Sequence, residues 1–293
     1  MTISKWIKPL LFSVLICNMG CSKDSAPINP NAIKEESRKE NDNRQAPDMR
    51  SKYAGFKQLY CRDLKPGDIM LKLNISDRSF LQDVTTNDHH AIFEDFVRNA
   101  IFLAQKLTGR KNAEIMHGGI MINSSQIVES SGVGIGKYEL AGSEDLGTYY
   151  VVYRLLNPSV GAGFSMSEAA GSASEFLFSM HKDDNLVPYN FRGLPWAVLL
   201  PNGTAKSDPQ IMGIIDKIIN GTKQEMFCSQ FVVYAYQLAA VQIKQDPKGS
   251  QLGINTKDYF DSNDARTSPA DLATLLQNNP RFAMVGYMTS NQR

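Results

Sequence analysis

Three side chains of this 293-residue chain are of the types that together activate a nucleophile: Cys228, His117 and Glu129. A thiolate attacks where a thiol does not, an imidazole can accept the thiol proton, and a carboxylate can orient the ring and stabilise its cation. Cys228 stands in Met226-Phe227-Cys228-Ser229-Gln230-Phe231-Val232-Val233-Tyr234-Ala235-Tyr236, with apolar side chains at 228, 231, 232, 235, 238 and 239. That spacing predicts a helix with Cys228 on its buried stripe. The stripe equally describes a small core residue, which cysteine often is. The helix start separates the two readings. A start near Cys228 brings unpaired amides and the positive dipole end to the sulfur and favours the thiolate. A capping box over Thr222-Lys223-Gln224-Glu225 would instead bury Cys228 in the second turn.

His117 lies in Glu114-Ile115-Met116-His117-Gly118-Gly119-Ile120-Met121-Ile122, a strand-like run whose two glycines let another element approach closely. A lone strand histidine is usually structural, so its neighbours matter. Glu129 sits on the next strand, beyond the turn Asn123-Ser124-Ser125. With an odd loop, Ile122 stands opposite Gln126, and Glu129 falls opposite Gly119, diagonal to His117 on one face. A two-residue loop would put them on opposite faces.

The elements that must hold these groups follow from periodicity. Strands are expected over Ile69–Leu73, after the turn Pro66-Gly67-Asp68, and over Ile115–Ile122, Gln126–Ser130, Tyr149–Leu155 and Phe282–Met288. Helices are expected over Ala91–Leu107, Ser167–Lys182, Pro209–Ile219, Cys228–Ala239 and from an N-cap at Ser268 to Gln277. Strands joined mostly by hairpin-type turns and interleaved with helices predict an α+β domain with an antiparallel sheet packed by helices. Asp68 reads as a turn residue without chemistry.

Hydrophobic residues make up 42% of the chain, enough for a real core, and the formal net charge is only +1. That balance gives no field to attract nucleic acid. The four cysteines, Cys17, Cys21, Cys61 and Cys228, form no CxxC pair and no zinc-type cluster. Lys5 and Lys8 precede the apolar run Leu10–Cys17, which has the form of an export signal and is too short for a comfortable membrane span. It ends in Asn18-Met19-Gly20-Cys21, which resembles a bacterial lipobox and marks Cys21 for lipidation; an ordinary cleaved signal is the alternative. Residues 1–21 are thus read as the signal, 22–52 as a polar flexible tether, and 53–293 as the folded domain.

Gly67-Asp68-Ile69, His117-Gly118-Gly119-Ile120, Val128-Glu129-Ser130 and Phe227-Cys228-Ser229-Gln230-Phe231-Val232 resemble, in order, the motifs of circularly permuted NlpC-type papain-like cysteine hydrolases, over roughly residues 60 to 290. The resemblance implies a papain-like fold and a hydrolase with Cys228 as nucleophile, His117 as base and Glu129 as its orienting partner, which the lipobox-like leader and tether would hold at the membrane of the cell envelope. Cell-wall peptides are the expected substrate. Related lecithin retinol acyltransferase-like enzymes move fatty acyl groups, so an acyl or lipid ester is an alternative, as is a binding module without catalysis.

No cofactor is required by this reading. Gly132-Val133-Gly134-Ile135-Gly136-Lys137 lacks the first glycine and the Ser or Thr of a phosphate loop and reads as a glycine-rich strand edge. Asp88-His89-His90 offers adjacent residues without further ligand spacing, so no metal is expected. Tyr189, Arg192 and Trp196 belong to an aromatic loop that either lines a cleft or packs on the core.

Overall fold

Ile69-Met70-Leu71-Lys72-Leu73 is buried along its whole length, which a strand can be only at the centre of a sheet covered on both faces. In the computed structural model it is that strand. The structure describes residues 55–73, 101–132, 134–140 and 149–289. The signal, Cys21, the tether, Asp88-His89-His90 and residues 91–100 of the helix expected over Ala91–Leu107 lie outside the described residues. Residues 101–107 of that helix are helical. The described residues belong to one compact unit, Ala46–Arg293.

The architecture is mixed α+β. Six strands, β1 (Ile69–Leu73), β2 (Ile115–Met121), β3 (Gln126–Ser131), β4 (Gly134–Glu139), β5 (Tyr149–Leu155) and β8 (Phe282–Thr289), form an antiparallel sheet in the order β4-β3-β2-β1-β5-β8. A separate ribbon pairs β6 (Ser159–Gly161) with β7 (Phe164–Ser165). The glycine-rich run is an edge strand, β4, as its composition predicts.

Side-chain alternation divides the core. Ile69, Leu71, Ile120, Val128, Ile135, Val151 and Tyr153 pack with the helices in the main cluster. Their neighbours Met70, Met121, Ile127, Tyr150 and Val152 pack with Leu59, Leu64, Leu140 and Met288 in a second one. Each large aliphatic side chain so removed from water contributes about 1.5–3 kcal/mol.

Among the described residues, the helices after residues 101–107 are α1 (Met166–Asp184), α2 (Gly193–Leu199), α3 (Asp208–Ile219), α4 (Cys228–Gln245) and α5 (Pro269–Asn278). α4 is buried almost all round, between β2, α1 and α3, and serves as the axis on which the rest is built. The α5 capping box is present: Ser268 Oγ accepts from the Asp271 N–H and the Ser268 N–H donates to Asp271 Oδ2, both at 3.2 Å. Gly67, at φ +80°, makes the turn before β1, where a Cβ would lie 2.5 Å from the Ser167 carbonyl oxygen. α2 is absent from the sequence expectation, which reads that stretch as a loop. It is only seven residues long and contains Pro195, and the Asn190 side chain supports it by accepting from the Gly193 N–H at 2.6 Å.

Candidate functional site

Met226 ties together the elements that carry the candidate residues. Its carbonyl accepts from Ser130 Oγ at 2.7 Å and from the Asn190 N–H at 3.2 Å, while its own N–H donates to the Pro188 carbonyl at 3.0 Å. Ser130 follows Glu129, Tyr189 lies between the two backbone partners, and Cys228 is two residues on from Met226. Two stretches distant in sequence are thereby sewn to the one that carries Cys228.

The chain stays extended through Phe227, at φ −95° and ψ 169°, and α4 starts at Cys228. Phe227 is the N-cap, and its ring carries no acceptor, so the helix has no side-chain cap where Ser, Thr or Asp is usual. Only the return half of a capping box exists: Gln230 Oε1 accepts from the Phe227 N–H at 3.4 Å. Residues 222–225 are irregular backbone, so the alternative start that would bury Cys228 in the second turn is not formed. The sulfur therefore sits at the positive end of a long helix, among first-turn amides without a side-chain acceptor.

The hairpin takes the odd register. Glu129 pairs opposite Gly119, and the Ile122 N–H donates to the Gln126 carbonyl at 3.0 Å. His117 Nε2 lies 3.1 Å from Glu129 Oε2. The approach is off the N–H axis, so charge attraction more than hydrogen-bond alignment holds it. The Cys228 side chain lies beside the imidazole, close enough to act on its charge. Burial disfavours the imidazolium, but the Glu129 carboxylate and the Cys228 sulfur together outweigh it and push His117 from 6.5 up to about 10. The two glycines differ: a Cβ on Gly119 would lie 2.8 Å from Ile127 Cδ1, whereas one on Gly118 would be tight only against Leu71 at 3.3 Å and in ordinary contact with Val232 of α4 at 3.6 Å.

Tyr189 is the residue whose place the sequence left open. Its hydroxyl lies beside the Cys228 side chain. Burial, then the neighbouring Cys228 sulfur and Glu129 carboxylate, raise its pKa well above the ordinary value, so it stays a neutral donor. Its ring meets Phe191 edge-on, with centroids 4.6 Å apart. Arg192 and Trp196 are exposed, beside and on α2, Trp196 by 52%. Cys228 itself is wholly buried, whereas His117 keeps 18% of its side chain exposed. Neither described cysteine is in a disulfide, and burial raises the half-buried Cys61 thiol.

One side of the site is apolar. Met116, next to His117, and Phe227, next to Cys228, share a buried cluster with Ile101, Leu194, Ala197 and Val198, against which Tyr189 also packs. Among the described residues no cluster of three or more His, Cys, Asp or Glu is arranged to hold a metal ion. The chain matches no family model, no curated protein and no solved structure.

Proposed function

We propose that this chain is an exported thiol hydrolase of the permuted NlpC-type, papain-like kind, cleaving an amide bond with Cys228 as nucleophile, His117 as proton carrier and Glu129 as its anchor. One observation carries the reading: Cys228 opens α4 with its side chain beside an imidazole that Glu129 meets at 3.1 Å. His117 takes the Cys228 proton, and the thiolate attacks the acyl carbon. The C–N bond then breaks as the imidazolium returns the proton to the leaving amine. Water attacks the thioester, His117 accepts its proton, and the sulfur leaves with that proton as the acid is released. The Cys228 N–H and the Tyr189 hydroxyl are the donors nearest a developing oxyanion. Because Cys228 is covered in the resting form, Tyr189 and its segment shift to admit the acyl group.

The lipobox-like Cys21 and the polar tether favour a membrane-anchored enzyme of the cell envelope, where cell-wall peptides are the nearest amides. A second reading has one observation behind it. The apolar cluster beside both His117 and Cys228 suits a fatty acyl chain, which makes a lipid ester the alternative substrate. Incubating the full chain with peptidoglycan fragments and, separately, with phospholipid vesicles distinguishes them by mass spectrometry. New amino and carboxyl ends support the amidase, and free fatty acid supports the esterase. Turnover of neither substrate, or turnover that survives Cys228→Ala, overturns the proposal.

A further inference from the structure

The start of α4 has no side-chain cap of its own, yet the direction of the Phe227–Cys228 backbone decides where the sulfur points. Beyond the bonds made by Met226, it is held by a chain of groups that the proposed reaction does not use. Gln230 Oε1 accepts from the Phe227 N–H at 3.4 Å, while Gln230 Nε2 donates to Asp264 Oδ2 at 3.2 Å. Lys206 Nζ donates to the other carboxylate oxygen of Asp264. Asp264 is fully buried and Lys206 is 19% exposed, so the pair is a partly desolvated ion pair joining the segment before α3 to the segment before α5.

An amide side chain offers an oxygen at one end and a nitrogen at the other. Gln230 can present its oxygen to Phe227 only if something else takes its nitrogen. A carboxylate accepts and never donates, so Asp264 allows one orientation of Gln230 and forbids the flipped one. We infer that the Lys206–Asp264–Gln230 relay positions the first residue of α4, and with it the Cys228 thiol, by fixing the Gln230 amide toward the Phe227 N–H. Lys206 neutralises a carboxylate that would otherwise stand unpaired near the helix start and oppose the thiolate. Its reactivity arm rests on the reading of Cys228 as the nucleophile.

The test uses the full chain and two variants, with Cys228 alkylation by iodoacetamide followed on its own peptide and with amide hydrogen exchange at Phe227. In Asp264→Asn, Lys206 holds the oxygen of the introduced amide and turns its nitrogen toward Gln230. The Gln230 amide then flips and opposes a donor to the Phe227 N–H. Alkylation at neutral pH should slow by about tenfold, the equivalent of one buried hydrogen bond lost. In Lys206→Met with Asp264→Asn, the introduced amide is released to offer its oxygen to Gln230. Alkylation and Phe227 protection should both recover to within about threefold of the wild type. A merely structural ion pair makes the opposite forecast, with the double variant worse than the single. Wild-type alkylation and protection in Asp264→Asn, or no recovery in the double variant, overturn the relay. If wild-type Cys228 proves no more reactive than an ordinary thiol, the catalytic reading fails, while protection at Phe227 still decides the relay.

Discussion

Two ion pairs at the sheet differ in how squarely their partners meet. Asp68 and Arg154 are paired twice, Nε to Oδ1 at 2.7 Å and a terminal nitrogen to Oδ2 at 2.6 Å. Asp68 also accepts the Lys65 N–H at 2.8 Å, and Arg154 also donates to the Asp63 carbonyl at 2.8 Å. The fork geometry leaves no role for a further partner. His117 and Glu129 make one off-axis contact, and the imidazole divides itself between that carboxylate and the Cys228 sulfur. A saturated pair of permanent ions fixes a turn and a strand. A loosely held pair containing a titratable ring can pass a proton. The difference teaches where to look for chemistry: the group with charge near it and bonding capacity still to spend.

The largest expected effect breaks the second pair. His117→Ala removes the proton carrier, and Cys228 alkylation at neutral pH should fall by about 10²–10⁴-fold, with hydrolysis of the substrate falling likewise. Far-ultraviolet circular dichroism should be unchanged. A variant that alkylates as fast as the wild type would make Cys228 a core residue and nothing more.

Breaking the saturated pair should do the reverse. Arg154→Met strands a carboxylate that is 1% exposed and should destabilise the fold by about 3–5 kcal/mol, read as a lower urea midpoint. Cys228 in the protein that stays folded should alkylate at the wild-type rate. Slower alkylation in this variant would mean that the two pairs are coupled, and that the contrast drawn between them is false.

This contrast was only half legible in the sequence. The turn at Pro66-Gly67-Asp68 and strand β1 follow from local residue types, but Arg154 lies 86 positions from Asp68. No periodicity announces that partner. The hairpin register was narrowed by one turn and alternation to two choices, and the structure takes the odd one, in which Glu129 meets His117. Whether α4 begins at Cys228 was not readable, since Phe227 is a poor capping residue and Thr222–Glu225 is a better local signal. Tertiary pairing of Met226 with Tyr189 and Ser130 overrides it. Tyr189 stayed ambiguous for the same reason: its role depends on a backbone bridge to Met226, far along the chain.

Tyr189→Phe sharpens the comparison inside the site. The ring is kept, so the packing against Phe191 is retained, and only the hydroxyl beside Cys228 is lost. Turnover should fall about tenfold to a hundredfold through kcat, with KM little changed, as expected for an oxyanion or thiolate donor. A change confined to KM would make Tyr189 part of the substrate wall instead.

The smallest effect, and the most specific, is on pH dependence. His117 binds its proton more tightly in the folded chain, at about 10, than in the unfolded one, near 6.5. A raised folded pKa adds stability that is complete below about pH 6.5 and disappears as pH rises through about 10. Glu129 supplies the leading attraction, so Glu129→Gln should lower the folded pKa. Its destabilisation relative to the wild type should then be largest near pH 6.5, shrink on the way up, and vanish above about pH 10 in urea titrations. Hydrolysis needs the imidazolium to protonate the leaving group, so its alkaline limb should move to lower pH in the same variant, with turnover reduced about tenfold at neutral pH. The matching substitution Asp68→Asn, in a pair without a ring, should leave that limb where it is. A Glu129→Gln stability difference independent of pH would show that the carboxylate holds the hairpin and does not hold the proton.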